Sequence, residues 1–263
     1  MSPLPRKFFG NAVRVVVATL SAALVVTVTA GNAFAQARKS EDNLLALTWQ
    51  PAFCEYRPGK PECEELNAGR LPVAESRLSL HGLWPQPRGK DYCGVSKAVL
   101  SQDKKGRWSS LPEPPVDAET RSRLQVVMPG VASLLHRHEW IKHGTCYQFP
   151  VEGDAADVYF DDALSLTEAI NQSAVVTFLT AHIGKSVDAR DIRARFDEAF
   201  GEGAGARVAF VCKGDGGRTL LQEIRIGLRG TVGSARPVGD LIRAAEPVPI
   251  GCRMGIVDPA GLQ

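Results

Sequence analysis

Two short stretches, His81-Gly82-Leu83-Trp84-Pro85 and His138-Glu139-Trp140-Ile141-Lys142-His143-Gly144-Thr145-Cys146, decide how this chain is read. The first closes a strand candidate, Leu78 to Leu83, which stops at Pro85. The second closes a helix candidate, Val131 to Lys142, with Gly144 expected as a cap just beyond it. A fold that brings them together joins a strand to a helix. On a regular helix, residues four apart lie one above the other, so Glu139 pairs with His143 and His138 with Lys142 along two adjacent ridges. Four polar groups then border one cleft, while Trp140 and Ile141 anchor the element from the other side.

Outward from these stretches, Leu44 to Trp49 reads as a strand ended by Pro51, and Cys54 to Arg70 as a charged loop tied down by cysteines. Pro85 to Pro115 is rich in Pro, Gly, Lys and Ser and reads as a long irregular region beside a groove. Helices are expected at Val116 to Val127, across Asp161 to His182 and over Asp188 to Phe200. Strands are expected at Arg207 to Cys212 and Leu220 to Leu228, followed by an irregular tail. Helices in the middle and strands at both ends indicate α+β rather than repeated βαβ units.

The start of the chain reads as an address. Arg6, Lys7 and Arg14 precede an apolar and small-residue run, Val15 to Ala30, and Ala33-Phe34-Ala35 forms a signal peptidase site. The run is shorter than the roughly 20 residues that span a bilayer. Residues 1–35 are therefore expected to be a secretory signal, and residues 36–263 a single catalytic domain. The full chain has 31 basic and 29 acidic residues; losing the three basic residues of the leader leaves 28 against 29. Such a chain has no global field for collecting a polyanion, so any polyanion site must be local. All six cysteines lie after the leader, and an even number in an exported chain indicates three disulfides, with 15 pairings open.

Histidine, lysine and glutamate without a metal suit cleavage of an RNA phosphodiester. One group removes the proton of the 2′-hydroxyl, another protonates the departing 5′-oxygen, and cations stabilise the charge that builds on phosphorus. Imidazole suits both transfers because its pKa is near neutrality. A zinc hydrolase is the competing reading. Its His-Glu-x-x-His spacing needs a histidine four residues after His138, where this chain has Lys142. Taken singly, His81 reads as a core histidine, Lys142 as solvated surface and both tryptophans as core. Their combination favours acid–base chemistry, with His136 and His182 left as structural or surface groups.

These motifs resemble the ribonuclease T2 family in its bacterial exported form. Leu47-Thr48-Trp49-Gln50-Pro51-Ala52-Phe53-Cys54, Tyr159-Phe160-x-x-Ala163-Leu164 and Cys212 with Leu221-x-Glu223-Ile224 extend the resemblance from about Leu44 to Cys252. It implies a mainly antiparallel sheet flanked by helices and metal-independent endonucleolytic cleavage of single-stranded RNA, with low base specificity, through a 2′,3′-cyclic phosphate. It implies His143 as general base, His81 as general acid, His138 on the phosphate, Glu139 and Lys142 supporting the developing charge, and Trp84 stacked on a base. It also implies the pairs Cys54–Cys63, Cys93–Cys146 and Cys212–Cys252. Two positions depart from the pattern. Gln86 stands where some relatives carry an adenine-reading aspartate, and His136 where relatives often carry a large aromatic. No cofactor, metal or obligate partner is expected, and the exported chain is expected to be a monomer in the periplasm or outside the cell, free of the membrane. An inactive RNA-binding or interaction protein on the same fold is the alternative.

Overall fold

A computed structural model describes residues 1–3, 38–233 and 236–263. The chain divides into two compact units, Met1–Phe34 and Ala35–Gln263. Residues 1–35, expected from the sequence to be a secretory signal, lie almost wholly outside the described residues, and the second unit holds the sheet, the helices and the site. Among the described residues no helix is long and apolar enough to cross a membrane.

Six strands form one sheet: β1 Asp42–Trp49, β2 Leu78–Pro85, β3 Ser186–Asp188, β4 Val208–Asp215, β5 Arg218–Arg229 and β6 Met254–Ile256. β1 lies between β2 and β5, antiparallel to both. β4 runs antiparallel along the other edge of β5. Past the end of β1, β5 pairs in parallel with β6 at Leu220↔Ile256, and β6 carries β3 antiparallel. The sheet is thus mainly antiparallel, as the resemblance implies. Leu45, Leu47 and Trp49 alternate along β1 and are buried in one core with Tyr159, Phe160 and Leu164 of helix Ala155–Asn171. The period-two spacing of β1 and the helical spacing of that segment each put their apolar residues on the shared side.

Both strands that carry site residues are bulged. The β1–β2 register passes from Ala46↔Gly82 to Leu47↔Leu80, which leaves His81 as the extra residue. The β4–β5 register passes from Val211↔Glu223 to Cys212↔Leu221, which leaves Gln222 as the extra residue. A bulge re-aims a side chain that simple alternation would send to the other face.

The second site segment departs from the expected helix. A 3-10 turn, Pro129–Ser133, ends at Leu134 in the left-handed region (φ 66°). An α-helical turn, Leu135–Glu139, follows, then a π turn, Trp140–Gly144, and a last α turn, Thr145–Tyr147. Gly144 is therefore not a cap, because the helix runs past it. A bond from i to i+5 closes a π turn, and here the Thr145 N–H reaches the Trp140 carbonyl. The regular ridges Glu139/His143 and His138/Lys142 do not hold through that turn. Gly144 is needed for packing instead: a Cβ there would meet the Trp140 ring at 2.3 Å.

Cys54 to Arg70 is not a loop but two short helices, Gln50–Tyr56 and Pro61–Asn67, each started by a proline in its first turn and joined by Cys54–Cys63. Pro85 to Pro115 contains a helix, Lys97–Lys104, capped by the Ser96 hydroxyl, and a 3-10 turn, Trp108–Ser110. The tail contains helix Val238–Ala244 and β6, so it is less irregular than its prolines suggest. The remaining helices, Ala118–Val127, Ala155–Asn171, Ala174–Ala181 and Ala189–Phe200, fall where the sequence places them, except that Ala155–Asn171 begins ahead of the expected start at Asp161.

All six cysteines are paired as the resemblance implies. Cys93–Cys146 closes a loop of 53 residues and ties the groove region to the end of the site helix. Loop-closure entropy for that length is worth about 4 kcal/mol. Replacing both cysteines by serine is expected to lower stability by about 2–5 kcal/mol and to cost more activity than serines at Cys212 and Cys252. Urea denaturation and RNA cleavage by the two variants check both.

Candidate active site

Glu139 sits at the centre, 1% exposed, on the last residue of the α-helical turn Leu135–Glu139. Its Oε2 accepts a hydrogen bond from the Trp84 indole Nε1 at 2.8 Å. Its Oε1 lies 3.7 Å from His81 Nε2 and 3.9 Å from His138 Nε2. Gly82 makes the approach possible, since a Cβ there would lie 1.9 Å from Glu139 Oε2 and 2.7 Å from the Trp84 indole nitrogen. The bulge at His81 puts its ring 5.1 Å from that of Trp84, edge-on, although the two are three residues apart on a strand.

Two of the imidazoles have a carboxylate behind them. His81 Nδ1 donates to Glu223 Oε2 at 2.7 Å, and His138 Nδ1 donates to buried Asp103 at 2.7 Å. Asp103 also accepts from the Tyr92 hydroxyl at 2.7 Å, and Trp108 stacks on His138 at 4.8 Å. These contacts aim His81 Nε2 and His138 Nε2 at Glu139. Asp91 Oδ1 lies 3.2 Å from His143 Nδ1 but off the line of a hydrogen bond. His143 packs 5.4 Å from the Trp84 ring, and the Arg225 guanidinium stands 5.4 Å from the centre of that same ring.

The charges of His81 and His143 diverge. Burial works against a charged His81, but the Glu223 hydrogen bond and the negative charges of Glu139 and Glu223 outweigh it, so its pKa is raised. Burial lowers His143, and the neighbouring charges of Lys142, His138 and His81 add to it, taking its pKa to about 3. Burial raises Glu139, against the pull of His81, His138, the Trp84 bond and Lys142. Burial also opposes the charge on Glu223, yet His81 and Arg225 hold its pKa below the ordinary value. The site therefore pairs an imidazole whose surroundings favour its protonated form with one whose surroundings favour its neutral form. Two like groups whose surroundings push their pKa values apart are the usual mark of an acid and a base.

A cleft of about 270 Å³ opens beside His143, lined by Trp84, Gln86, Arg88, Asp91, Lys142 and Arg225 among others. Lys142 and His143 both reach it. The Gln86 amide donates to the Trp84 carbonyl at 3.1 Å, which fixes the side chain at its wall. All seven residues singled out in the sequence thus lie in or beside one site. His136 does not: it is buried elsewhere, donating to Glu113 at 3.1 Å. His182 Nδ1 bonds the Phe178 carbonyl at 2.8 Å, a structural role.

A model of the ribonuclease T2 family matches residues 42–238. The chain belongs to the ribonuclease T2 family. It is 30% identical over 93% of its length to "Ribonuclease I" of Escherichia coli (strain K12), covering 97% of that protein. It is 27% identical to "Ribonuclease 1" of Arabidopsis thaliana, over 58% of this chain and 61% of that one. The fold is also that of trichomaglin, described as an S-like ribonuclease, with a TM-score of 0.55, 19% identity and coverage of 86% of this chain and 100% of that one. The two histidine motifs pick out His81, Trp84, His138, Glu139, Lys142 and His143, but not Asp91, Asp103, Trp108, Glu223 or Arg225, which come from the groove region and from β5. Glu223 had two visible signals: it stands in the Leu221-x-Glu223-Ile224 segment of the resemblance, and with Arg225 it forms a charged pair at period two inside an otherwise apolar strand. Asp91 and Asp103 have none, because the groove region reads as irregular and offers no periodicity to mark which carboxylate turns inward.

Gly82→Ala places a methyl where Glu139 and Trp84 now meet. It is expected to reduce RNA cleavage at least ~100-fold, the scale of one lost acid–base group, while the far-ultraviolet circular dichroism stays that of the parent. Near-parental turnover would show that the Glu139–Trp84 contact is dispensable.

Proposed function

We propose that this member of the ribonuclease T2 family is an endoribonuclease that cleaves single-stranded RNA by transphosphorylation, releasing a 2′,3′-cyclic phosphate. The observation that carries this reading is the pair of imidazoles that flank the Trp84 ring, His81 at 5.1 Å in surroundings that favour its protonated form and His143 at 5.4 Å in surroundings that favour its neutral form. His143 takes the proton of the 2′-hydroxyl as that oxygen attacks phosphorus. His81 gives its Nε2 proton to the 5′-oxygen as the P–O bond breaks. His138 and Lys142 hold the phosphate oxygens, and Glu139 orients both His81 and His138 from below. General acid–base catalysis of this kind contributes about 10²–10⁴-fold per group. DNA lacks the 2′-hydroxyl and is not a substrate for this route.

Trp84 and Gln86 line the cleft beside His143 and contact the base attached to the attacking ribose. No metal is required, because the proton transfers and the charge stabilisation are all assigned to side chains. The chain acts as a monomer after export, with the leader removed after Ala35, in the periplasm or outside the cell. Three formed disulfides support an oxidising compartment.

His81→Ala and His143→Ala are each expected to lose at least ~100-fold in RNA cleavage while remaining folded, and the parent is expected to keep full activity in excess EDTA. A folded His143→Ala protein with near-parental activity, or loss in EDTA that zinc reverses, refutes the mechanism. The acid must be protonated to act, so activity falls as pH rises through the His81 pKa. Glu223→Gln removes a negative charge that holds that proton, lowers the His81 pKa and should move the basic limb of the kcat/KM profile to lower pH. An unmoved limb would show that another group supplies the proton.

A further inference from the structure

The active-site face of the sheet continues past the residues that the mechanism uses. Thr48↔Glu223, Ala46↔Arg225, Leu44↔Gly227 and Asp42↔Arg229 pair across β1 and β5 at every second position, so they share one face. Successive pairs are about 7 Å apart along the strands. Glu223 stands behind His81, where a cleft of about 250 Å³ opens. Arg225 stands over Trp84, beside the cleft that holds Lys142 and His143. The next position on β5, Gly227, has no side chain. A further cleft of about 350 Å³ lies there.

Leu44 and Gln86 line both this cleft and the one beside His143, so the two are continuous. Its other walls are apolar: Pro87, Ala245 and Val248, the last two from the segment after helix Val238–Ala244. Glycine inside a strand marks a close approach, and here a Cβ on Gly227 would lie 3.2 Å from that of Ala245. The floor is therefore backbone and small side chains. Charge closes the far end. Arg229 donates to Asp42 at 2.8 Å and to Glu246 at 2.9 Å. Two carboxylates share one guanidinium, so this rim is net negative and repels a phosphate. The cations that suit a phosphate, Arg88 and Lys142, belong to the His143 cleft. The occupant that fits is an uncharged and largely apolar group on a strand whose phosphates pass Arg88. In RNA that group is a base.

We propose that this cleft seats the base of the nucleotide immediately 5′ to the attacking one, a position that makes the protein favour cuts within a chain over cuts after its first residue. The direction follows from the order along the sheet. His81 serves the departing 5′-oxygen, His143 and Trp84 serve the attacking nucleotide, and the cleft at Gly227 lies on the far side of it. The assignment therefore rests on the transphosphorylation reading.

The test uses the whole purified protein and oligonucleotides with a single ribose, so that only one bond can be cleaved. kcat/KM is measured on the dimer rU-dA, on the trimer dT-rU-dA, and on the same trimer with an abasic deoxyribose in first place. The abasic trimer keeps the added phosphate and loses only the base. The thymine trimer is expected to be cleaved on the order of tenfold better than the abasic one, the scale of removing one face of a base from water. Val248→Trp fills the cleft from a half-buried position outside the catalytic set. It should bring the thymine trimer down to the abasic rate while rU-dA stays within about twofold of the parent, because the dimer does not reach the cleft. A thymine trimer cleaved no better than the abasic trimer or than rU-dA, or an advantage that survives in folded Val248→Trp, overturns the proposal. The abasic comparison needs only the parent, so it decides the matter if the variant does not fold. Failure to cleave any of the three would instead overturn the transphosphorylation reading, and this assignment with it.

Discussion

The burial of one carboxylate, Glu139, sets the terms for everything around it. A buried carboxylate is costly unless hydrogen bonds and opposite charges surround it. Here the indole of Trp84 donates to it, and two imidazoles bring their Nε2 atoms to 3.7 and 3.9 Å. Regular secondary structure would not assemble this set. His81 arrives by a bulge, Gly82 leaves out the Cβ that would collide, and a π turn carries Lys142 and His143. Three local irregularities meet at one point, which is where a sequence under selection for function departs from local ideality.

Carboxylates behind the histidines extend the same logic outward. Glu223 and Asp103 each accept an Nδ1–H, so the Nε2 atoms of His81 and His138 face inward. The buried Nδ1 of His143 makes no such bond among the described residues. The contrast is chemically useful. An imidazole hydrogen-bonded to a carboxylate prefers its cation, while one among other cations prefers to be neutral. Identical side chains acquire opposite tasks from what lies behind them.

The main strands and most helix positions were legible because they depend on periodicity, and the six main-site residues were legible because two motifs hold them at fixed spacing. The π turn was not legible. Trp140 to Gly144 has no breaker that marks a widened turn, and its cause is tertiary: Trp140 and Ile141 are both buried, and Gly144 packs on the Trp140 ring. The helices Gln50–Tyr56 and Pro61–Asn67 were hidden for the opposite reason. Prolines that look like loop punctuation stand in their first turns, where a missing N–H costs nothing. Asp103 was unreadable because its inward turn depends on Tyr92 and His138, which lie 11 and 35 residues away in the chain.

A near-neutral exported chain must gather a polyanion without a global field, and the distribution of ion pairs shows how it does so. Many arginines remote from the cleft are neutralised by nearby carboxylates: Arg70 by Glu65, Arg123 by Asp161 and Glu168, Arg190 by Asp188, and Arg229 by Asp42 and Glu246. Lys142 and Arg88 beside His143, and Arg57 and Lys60 beside His81, reach the clefts instead. Exposed pairs contribute little to stability, but they cancel charge where it would hold RNA unproductively. Cations therefore line both clefts beside the imidazoles, where a phosphate must sit. Glu223 is tolerated there because it is matched by His81 and Arg225, so it tunes the acid while its own charge is balanced.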